Sequence, residues 1–145
     1  MRVKFLVALA LVAIVVSVLG CTATKASGRE VSVDVTYDDF MKNPHISRSV
    51  EIPADGALTV TLFSNPTTGF RWSEEANITD VGVLEQIKHE YMAPGQEGVV
   101  GAGDQEVWTF KALKNGETTV TMEYSRQWEG GEKGEWTFEL IVKVK

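Results

Sequence analysis

Apolar and polar side chains alternate with a period of two along most of the chain from position 30 onward. Because successive side chains of a strand point to opposite faces, this pattern predicts strands with one buried and one solvated face. The apolar positions are Val31, Val33, Val35 and Tyr37; Leu58, Val60 and Leu62; Trp108, Phe110 and Ala112; Val120, Met122 and Tyr124; and Trp136, Phe138, Leu140, Val142 and Val144.

Turn-forming residues separate the predicted strands. Residues 53–56 read Pro-Ala-Asp-Gly, and residues 114–117 contain Asn-Gly, which accepts the positive φ of a tight turn and predicts a hairpin there. No long apolar stripe has helical spacing, and residues 38–47 allow one helical turn, which Pro44 interrupts. Several short strands without long helices predict an all-β fold, an immunoglobulin-like two-sheet β-sandwich over residues 30–145. The lack of a Cys-Trp-Cys pattern excludes an antibody-type domain.

The first 21 residues have a different character from the rest. Arg2 and Lys4 make a positive start, residues 5–19 form an uncharged apolar run, and Gly20 and Cys21 follow it. The run is shorter than the ~20 residues that a membrane-spanning helix needs. A positive start, a short apolar run and a small residue at its end are typical of a secretory signal.

Residues 18–21, Val-Leu-Gly-Cys, resemble the lipobox of prokaryotic lipoproteins, in which the cysteine is lipidated and becomes the new N-terminus. The resemblance implies a signal peptide at 1–20, a lipidated Cys21 with a tether to residue 29, and export to the cell envelope. Which face the anchor occupies stays open. Cleavage removes 20 residues and two positive charges, which leaves 125 residues with a charge of −8. The alternative is an uncleaved N-terminal helix with an incidental cysteine.

Composition narrows the classes of function. The chain has 145 residues, a charge of −6, one cysteine and two histidines. The acidic balance argues against a nucleic-acid partner, and so few thiols and imidazoles argue against a disulfide, a metal site or another cofactor. His45 and His89 have no serine or cysteine nearby in a tight turn, so we expect a binding protein and not an enzyme. Asn77 begins a glycosylation triplet of a kind that is common by chance.

Three loops stand out from the strands. The first loop reads Asn65, Pro66, Thr67, Thr68, Gly69 and Phe70. Pro66 fixes φ, the two threonines are stiff, and Gly69 permits an unusual backbone angle or a close approach by a neighbour. These properties predict a narrow, pre-shaped tip of hydroxyls and bare backbone. From these residues alone, an ordinary turn is the simpler interpretation.

The second loop is glycine-rich and precedes the strand that carries Trp108. It spans residues 95–104 and ends in Gly101, Ala102, Gly103 and Asp104. A phosphate-binding role is excluded, because a strand follows instead of a helix and the loop has no lysine. The residues alone indicate only a connection between strands.

The third loop begins with Arg126, Gln127 and Trp128 and continues as Glu-Gly-Gly to residue 131. A tryptophan in a polar, glycine-rich loop is costly to leave in water, and tryptophan and arginine are enriched at binding hot spots. This favours a binding role for Trp128. The alternative is a tryptophan that folds back over the edge of the sandwich.

Together the loops resemble the three signature loops of the chagasin family, the protein inhibitors of papain-like cysteine peptidases, over residues 30–145. The first loop matches that family's motif in every residue. The second, at 101–104, resembles Gly-x-Gly-Gly, and the third, at 126–128, resembles Arg-Pro-Trp. Asp104 stands in place of a glycine and Gln127 in place of a proline, so the resemblance implies less rigid second and third loops here.

The resemblance implies a reversible, non-covalent inhibitor that blocks the peptidase cleft with loops at one end of the sandwich. Thr67 and Thr68 would face the catalytic Cys–His pair, Arg126 and Trp128 would pack on one side of the cleft, and the second loop would brace the non-prime side. The predicted peptidase-binding residues are Asn65, Pro66, Thr67, Thr68, Gly69, Phe70, Gly101, Ala102, Gly103, Asp104, Arg126, Gln127 and Trp128. We expect a monomer. The alternative is a surface-anchored immunoglobulin-like adhesion module that recognises a glycan or a protein through Trp128.

Overall fold

The structure is a computed structural model that describes residues 29–95 and 103–145. In these two ranges it contains nine strands, one α-helix and one 3₁₀ turn. In chain order they are β1 Glu30–Val35, α1 Tyr37–Lys42, β2 His45–Ile52, β3 Ala57–Ser64, the 3₁₀ turn Pro66–Thr68, β4 Phe70–Trp72, β5 Asn77–Ile78, β6 Leu84–Met92, β7 Asp104–Ala112, β8 Gly116–Arg126 and β9 Trp136–Val144. The expected signal peptide, Cys21 and most of the tether lie outside the described residues.

The strands form two sheets. One has the order β1-β3-β7-β6, and the other has the order β2-β9-β8-β4, with β5 paired to β8. Strand β1 is parallel to β3 and β2 is parallel to β9, whereas the remaining pairs are antiparallel. The prediction of an all-β, two-sheet sandwich is confirmed.

The alternation in the sequence is the burial pattern of the core. Every second residue of the central strands faces the opposite sheet and is buried, and each such side chain contributes about 1.5–3 kcal/mol by leaving water. The fully enclosed residues include Leu58, Val60, Leu62, Trp108, Phe110, Val120, Phe138, Leu140 and Val142.

The predicted hairpin at 114–117 is wrong. Strand β7 lies between β3 and β6 in one sheet, and β8 lies beside β9 in the other, so the turn carries the chain across the sandwich. Alternation of apolar residues cannot distinguish a hairpin within one sheet from a crossing between sheets, because both strands face the same core in either arrangement. Gly116 (φ +155°) is needed here for a different reason, since a Cβ at this position would lie 2.7 Å from Cγ2 of Val83.

Helix α1 forms where the sequence allows one helical turn, and it ends before Pro44. Thr36 and Asp39 cap its N-terminus reciprocally: the Asp39 amide donates to the Thr36 hydroxyl (3.3 Å), and the Thr36 amide donates to the Asp39 carboxylate (3.0 Å). The hydrogen bonds from Thr36 hold the pKa of Asp39 below its ordinary value. Phe40 is buried and stacks on Trp136 at 4.8 Å between ring centroids. His45, which directly follows Pro44, is the first residue of β2.

The two ends of the sandwich differ. Strands β3 and β8 end, and β4, β7 and β9 begin, at what we call the loop end. At the opposite end, the base, Arg29, Pro53 and Lys145 surround a shallow cavity of about 450 Å³. The Lys145 carbonyl accepts from the Ala54 amide (2.9 Å) and ties the last strand to a turn at the base. None of the helices in the described ranges has the length and apolarity to cross a membrane.

Candidate functional site

The first loop carries the chain from β3 in one sheet to β4 in the other. Its backbone is a 3₁₀ turn that ends at Gly69 (φ +82°). The side-chain oxygen of Asn65 accepts from the Thr67 hydroxyl (2.5 Å), and the Asn65 carbonyl accepts from the Thr68 hydroxyl (2.7 Å). Both threonine hydroxyls are therefore turned toward Asn65, and the tip is shaped by its own hydrogen bonds.

Tyr124 of β8 holds the first loop from below. Its hydroxyl accepts from the Asn65 amide (2.9 Å) and lies 3.2 Å from the Asn65 carbonyl, to which it donates. The ring stacks on Phe70 and Trp136 at centroid distances of 5.4 and 4.8 Å. Burial raises the pKa of Tyr124, which keeps the hydroxyl protonated and able to donate. The alternation predicted that Tyr124 lies in the core, but it does not predict that the Tyr124 hydroxyl binds Asn65.

The third loop joins β8 to β9, and several of its own residues brace it. Arg126, the last residue of β8, pairs with Glu132 at 3.1 Å, and its amide donates to the Glu132 carbonyl (2.8 Å). Lys133 donates to the carbonyls of Arg126 and Trp128. Trp128 is 54% exposed, so about half of its surface stays open to solvent.

The first and third loops contact each other directly. The Arg126 guanidinium lies 4.6 Å from the centre of the Phe70 ring, and its Nε donates to the Thr68 carbonyl (3.3 Å). The Trp128 ring covers Gly69 so closely that a Cβ there would lie 2.6 Å from Cη2. The two loops therefore form one surface, which we call the wedge (residues 65–70 and 126–128).

Gln127 occupies the position where the resembled motif has proline. Its side-chain amide donates to the Arg71 carbonyl of β4 (3.3 Å). This hydrogen bond links the third loop to β4, the strand that follows the first loop. It restrains the third loop in the absence of the fixed φ that a proline would impose.

Residues 96–102 of the second loop, which include Gly101 and Ala102, lie outside the described residues. Gly103 (φ +126°) lies against the Phe63 ring, where a Cβ would overlap the ring. Asp104 was expected in the loop, but it is the first residue of β7 and pairs with Ser64, since its backbone continues the ladder with β3. Burial and the Asp104 side chain raise the pKa of Tyr91 on β6. The stems of the first and second loops are therefore adjacent.

An apolar groove of about 300 Å³ runs beside the wedge. Its lining includes Tyr37 and Met41 of α1 together with Thr68 and Arg126 of the wedge. The two α1 side chains are 45% and 61% exposed, respectively. Apolar surface therefore extends from the wedge along the loop end, which is typical of a protein-binding surface.

The two histidines have structural partners. Nδ1 of His45 lies 3.0 Å from the Thr137 hydroxyl, and Nε2 of His89 lies 2.9 Å from the Glu106 carboxylate. Among the described residues, no three His, Cys, Asp or Glu side chains are arranged to hold a metal ion.

Sequence comparison relates the chain to known inhibitors. A family model described as chagasin family peptidase inhibitor I42 matches residues 51–142, a range that includes all three loops. Amoebiasin-2 of Entamoeba histolytica is 36% identical over 99 residues, which cover 66% of this chain and 77% of that protein.

Solved structures share the fold. The cysteine protease inhibitor EhICP2 from Entamoeba histolytica superposes with a TM-score of 0.60 at 21% identity, over 80% of this chain and 97% of its own. PbICP-C, solved in complex with falcipain-2, superposes with a TM-score of 0.53 at 14% identity, over 81% of this chain and 100% of its own.

Proposed function

The chain belongs to the chagasin family of peptidase inhibitors, and on that premise we propose that it inhibits papain-like cysteine peptidases by filling their active-site cleft with its loop end. The observation that carries the proposal is the contact between the two signature loops. Trp128 lies on Gly69, and Arg126 binds the Thr68 carbonyl, so both loops present one preformed surface. A preformed surface loses little conformational entropy on binding.

The tip of the wedge suits a cysteine peptidase cleft. Thr67 and Thr68 are exposed, but their hydroxyls already donate to Asn65, so methyl groups and backbone face the partner. The peptide bonds at the tip lie in a 3₁₀ turn, which does not offer a thiolate the aligned geometry that attack requires. Inhibition is therefore reversible and non-covalent.

The flanks of the wedge supply most of the contact area. Trp128 is a large exposed aromatic residue held by a braced loop, and it fits the hot-spot pattern of a rigid anchor. Arg126 adds a guanidinium beside it, and the second loop, ending at Gly103 and Asp104, supports the other side. One such loop end per chain fits a monomer that binds one peptidase.

For location, we propose export and lipid anchoring through Cys21. The support is the lipobox-like sequence at 18–21 together with the place of Arg29 at the base, opposite the loops. The eight residues 22–29 span at most about 28 Å when extended. An anchor at Cys21 would therefore leave the wedge pointing away from the membrane.

A titration of papain with residues 22–145 tests the function. We expect sub-micromolar inhibition that is lost on dilution, with the inhibitor chain recovered intact. The double variant Thr67→Asp with Trp128→Ala should abolish inhibition while the far-UV circular dichroism stays unchanged, because both residues lie in loops outside the core. Absence of inhibition of papain and of several cathepsin-like enzymes at micromolar concentration would overturn the proposal.

The adhesion alternative rests on the exposure of Trp128, which could also stack on a sugar ring. A glycan array probed with the same residues separates the two functions. Specific glycan binding that is lost on Trp128→Ala, without any effect on peptidases, would favour adhesion.

A further inference from the structure

Among the residues that the structure describes, one carboxylate is buried inside the sandwich. Glu106 is on the inward face of β7, two residues before Trp108, and it is only 5% exposed. The alternation that predicts Trp108 and Phe110 as core residues also predicts an apolar residue at 106. A buried charge is costly unless it is paired and hydrogen-bonded, so its partners indicate its role.

Glu106 has three partners on three other strands. One oxygen accepts from the Ser64 hydroxyl at 2.7 Å and, at 3.5 Å, from the Trp72 amide. The other oxygen lies 2.9 Å from Nε2 of His89, whose ring packs at 4.7 Å from the Trp108 ring. We call Glu106, Ser64, Trp72 and His89 the Glu106 cluster.

The cluster lies directly beneath the first loop. Ser64 is the last residue of β3, immediately before Asn65, and Trp72 is the last residue of β4. These two strands belong to different sheets, so no ladder of backbone hydrogen bonds fixes their separation. The Glu106 carboxylate bridges the two stems, and the Trp72 indole adds a second link to the Phe63 carbonyl (2.8 Å).

We propose that Glu106 is a positioning residue for inhibition: it fixes the separation of the two stems of the first loop and thereby the shape of the Thr67–Thr68 tip. This inference rests on the proposed function, and it gives the buried Glu106 carboxylate a role in that function. Stability alone does not account for the carboxylate, because apolar residues of similar volume often replace buried ion pairs at no cost. Nε2 of His89 contacts the carboxylate from the β6 side.

Three variants test this role by papain titration. Glu106→Leu removes every hydrogen bond of the carboxylate, and we expect affinity to fall about tenfold. Glu106→Gln keeps an oxygen for Ser64 and Trp72 and should restore affinity to within about threefold of the original chain. The matched control is Thr118→Val, because Thr118 is equally buried near the base and its hydroxyl accepts from the Asp80 amide (2.8 Å). This control should lower the melting temperature but not the affinity.

A readout on the free protein does not depend on a peptidase. The amide NMR shifts of Thr67, Thr68 and Gly69 should move in Glu106→Leu and stay in place in Glu106→Gln and Thr118→Val. If Glu106→Leu does not fold, Ser64→Ala, which keeps the pair with His89, should move the same resonances. Unmoved loop resonances, or an affinity loss no greater than that of Thr118→Val, would overturn the inference. An unmodified chain that fails to inhibit papain would overturn the proposed function, and the loop resonances would still decide whether Glu106 shapes the loop.

Discussion

Gly69 has two independent reasons to lack a side chain. Its φ of +82° is left-handed, and the Trp128 ring lies directly over its Cα hydrogens. The sequence predicted an unusual backbone angle or a close neighbour at this position, and the structure has both. The neighbour comes from 59 positions further along the chain, so its identity could not be predicted from the loop itself.

Gly69→Ala should therefore weaken papain inhibition at least tenfold. The left-handed conformation costs roughly 1–2 kcal/mol for alanine, and the new Cβ would also push Trp128 out of place. Gly130→Ala is the matched control, because Gly130 (φ +74°) has the same strain with no atom within 4 Å of the new Cβ. Equal inhibition by the two variants would show that the Gly69–Trp128 contact does not matter.

Tyr124 joins the core to the inhibitory loop through one hydroxyl. In Tyr124→Phe the ring still packs, but the Asn65 amide loses its acceptor, and the Asn65 carbonyl keeps only its bonds from Thr68. An unsatisfied buried group costs about 1–3 kcal/mol, so we expect papain inhibition to weaken five- to tenfold. Unchanged inhibition by a folded Tyr124→Phe variant would show that the Tyr124 hydroxyl does not support the inhibitory loop.

The same residue makes a pH prediction. Burial raises the pKa of Tyr124 in the folded chain, so the folded state keeps the phenol proton where the unfolded state loses it. Its contribution to stability is complete below the ordinary tyrosine pKa of about 10 and is lost as pH rises through the raised folded value. Urea unfolding between pH 8 and 11.5 should show a loss of stability in the original chain that is smaller in Tyr124→Phe.

At the scale of elements, the positions of the strands could be predicted from the sequence, but which strands pair with each other could not. The alternating runs predicted the strands, because burial on one face repeats within a few residues. The turn at 114–117 was misassigned, because Asn-Gly serves a hairpin and a crossing between sheets equally well. The position of Glu106 did carry a signal, since a carboxylate there shares the buried face of β7 with Trp108 and Phe110.

Helix α1 depends on its cap more than on its length. Six residues form few internal hydrogen bonds, so the Thr36–Asp39 exchange and the burial of Phe40 hold the helix. Thr36→Ala should lower the free energy of unfolding by about 1 kcal/mol. Papain inhibition should stay unchanged, because neither capping residue lies on the wedge; a stability equal to that of the original chain would contradict the capping role.

Asp39 gives this cap a pH dependence. Its folded pKa lies below the ordinary value of 3.8, so its contribution is present above that value and is lost as pH falls through the lowered one. The stability difference between the original chain and Asp39→Asn should therefore be largest near pH 6 and shrink below pH 4. A difference that stays constant down to pH 2.5 would contradict this assignment.

For the whole molecule, the decisive feature is the separation of the two ends. The loops gather at one end, and Arg29 and Lys145 lie at the other, about 27 Å away along an eight-residue strand. The sequence predicted three loops at one end through a family resemblance. Periodicity alone could not have placed them together, because the arrangement depends on strand order across the two sheets.

The separation of the loop end from the base predicts how attachment of the chain to a surface affects inhibition. Residues 21–145 coupled to a surface through Cys21 should inhibit papain as well as the free chain does, because attachment leaves the wedge exposed. Residues 22–145 with Glu129→Cys, coupled through the new thiol beside Trp128, should fail to inhibit although the uncoupled variant still does. Similar inhibition from both surfaces would contradict the assignment of the wedge.

The central claim is that the loop end fills the catalytic cleft, and protection of the catalytic cysteine of papain tests it most directly. The rate at which iodoacetamide alkylates that thiol is measured at increasing concentrations of residues 22–145. We predict that the rate falls in proportion to the fraction of papain bound, with the same midpoint as inhibition, and that the Thr67→Asp, Trp128→Ala variant gives no protection. An undiminished alkylation rate on fully inhibited papain would show that the chain binds elsewhere, and it would contradict the account.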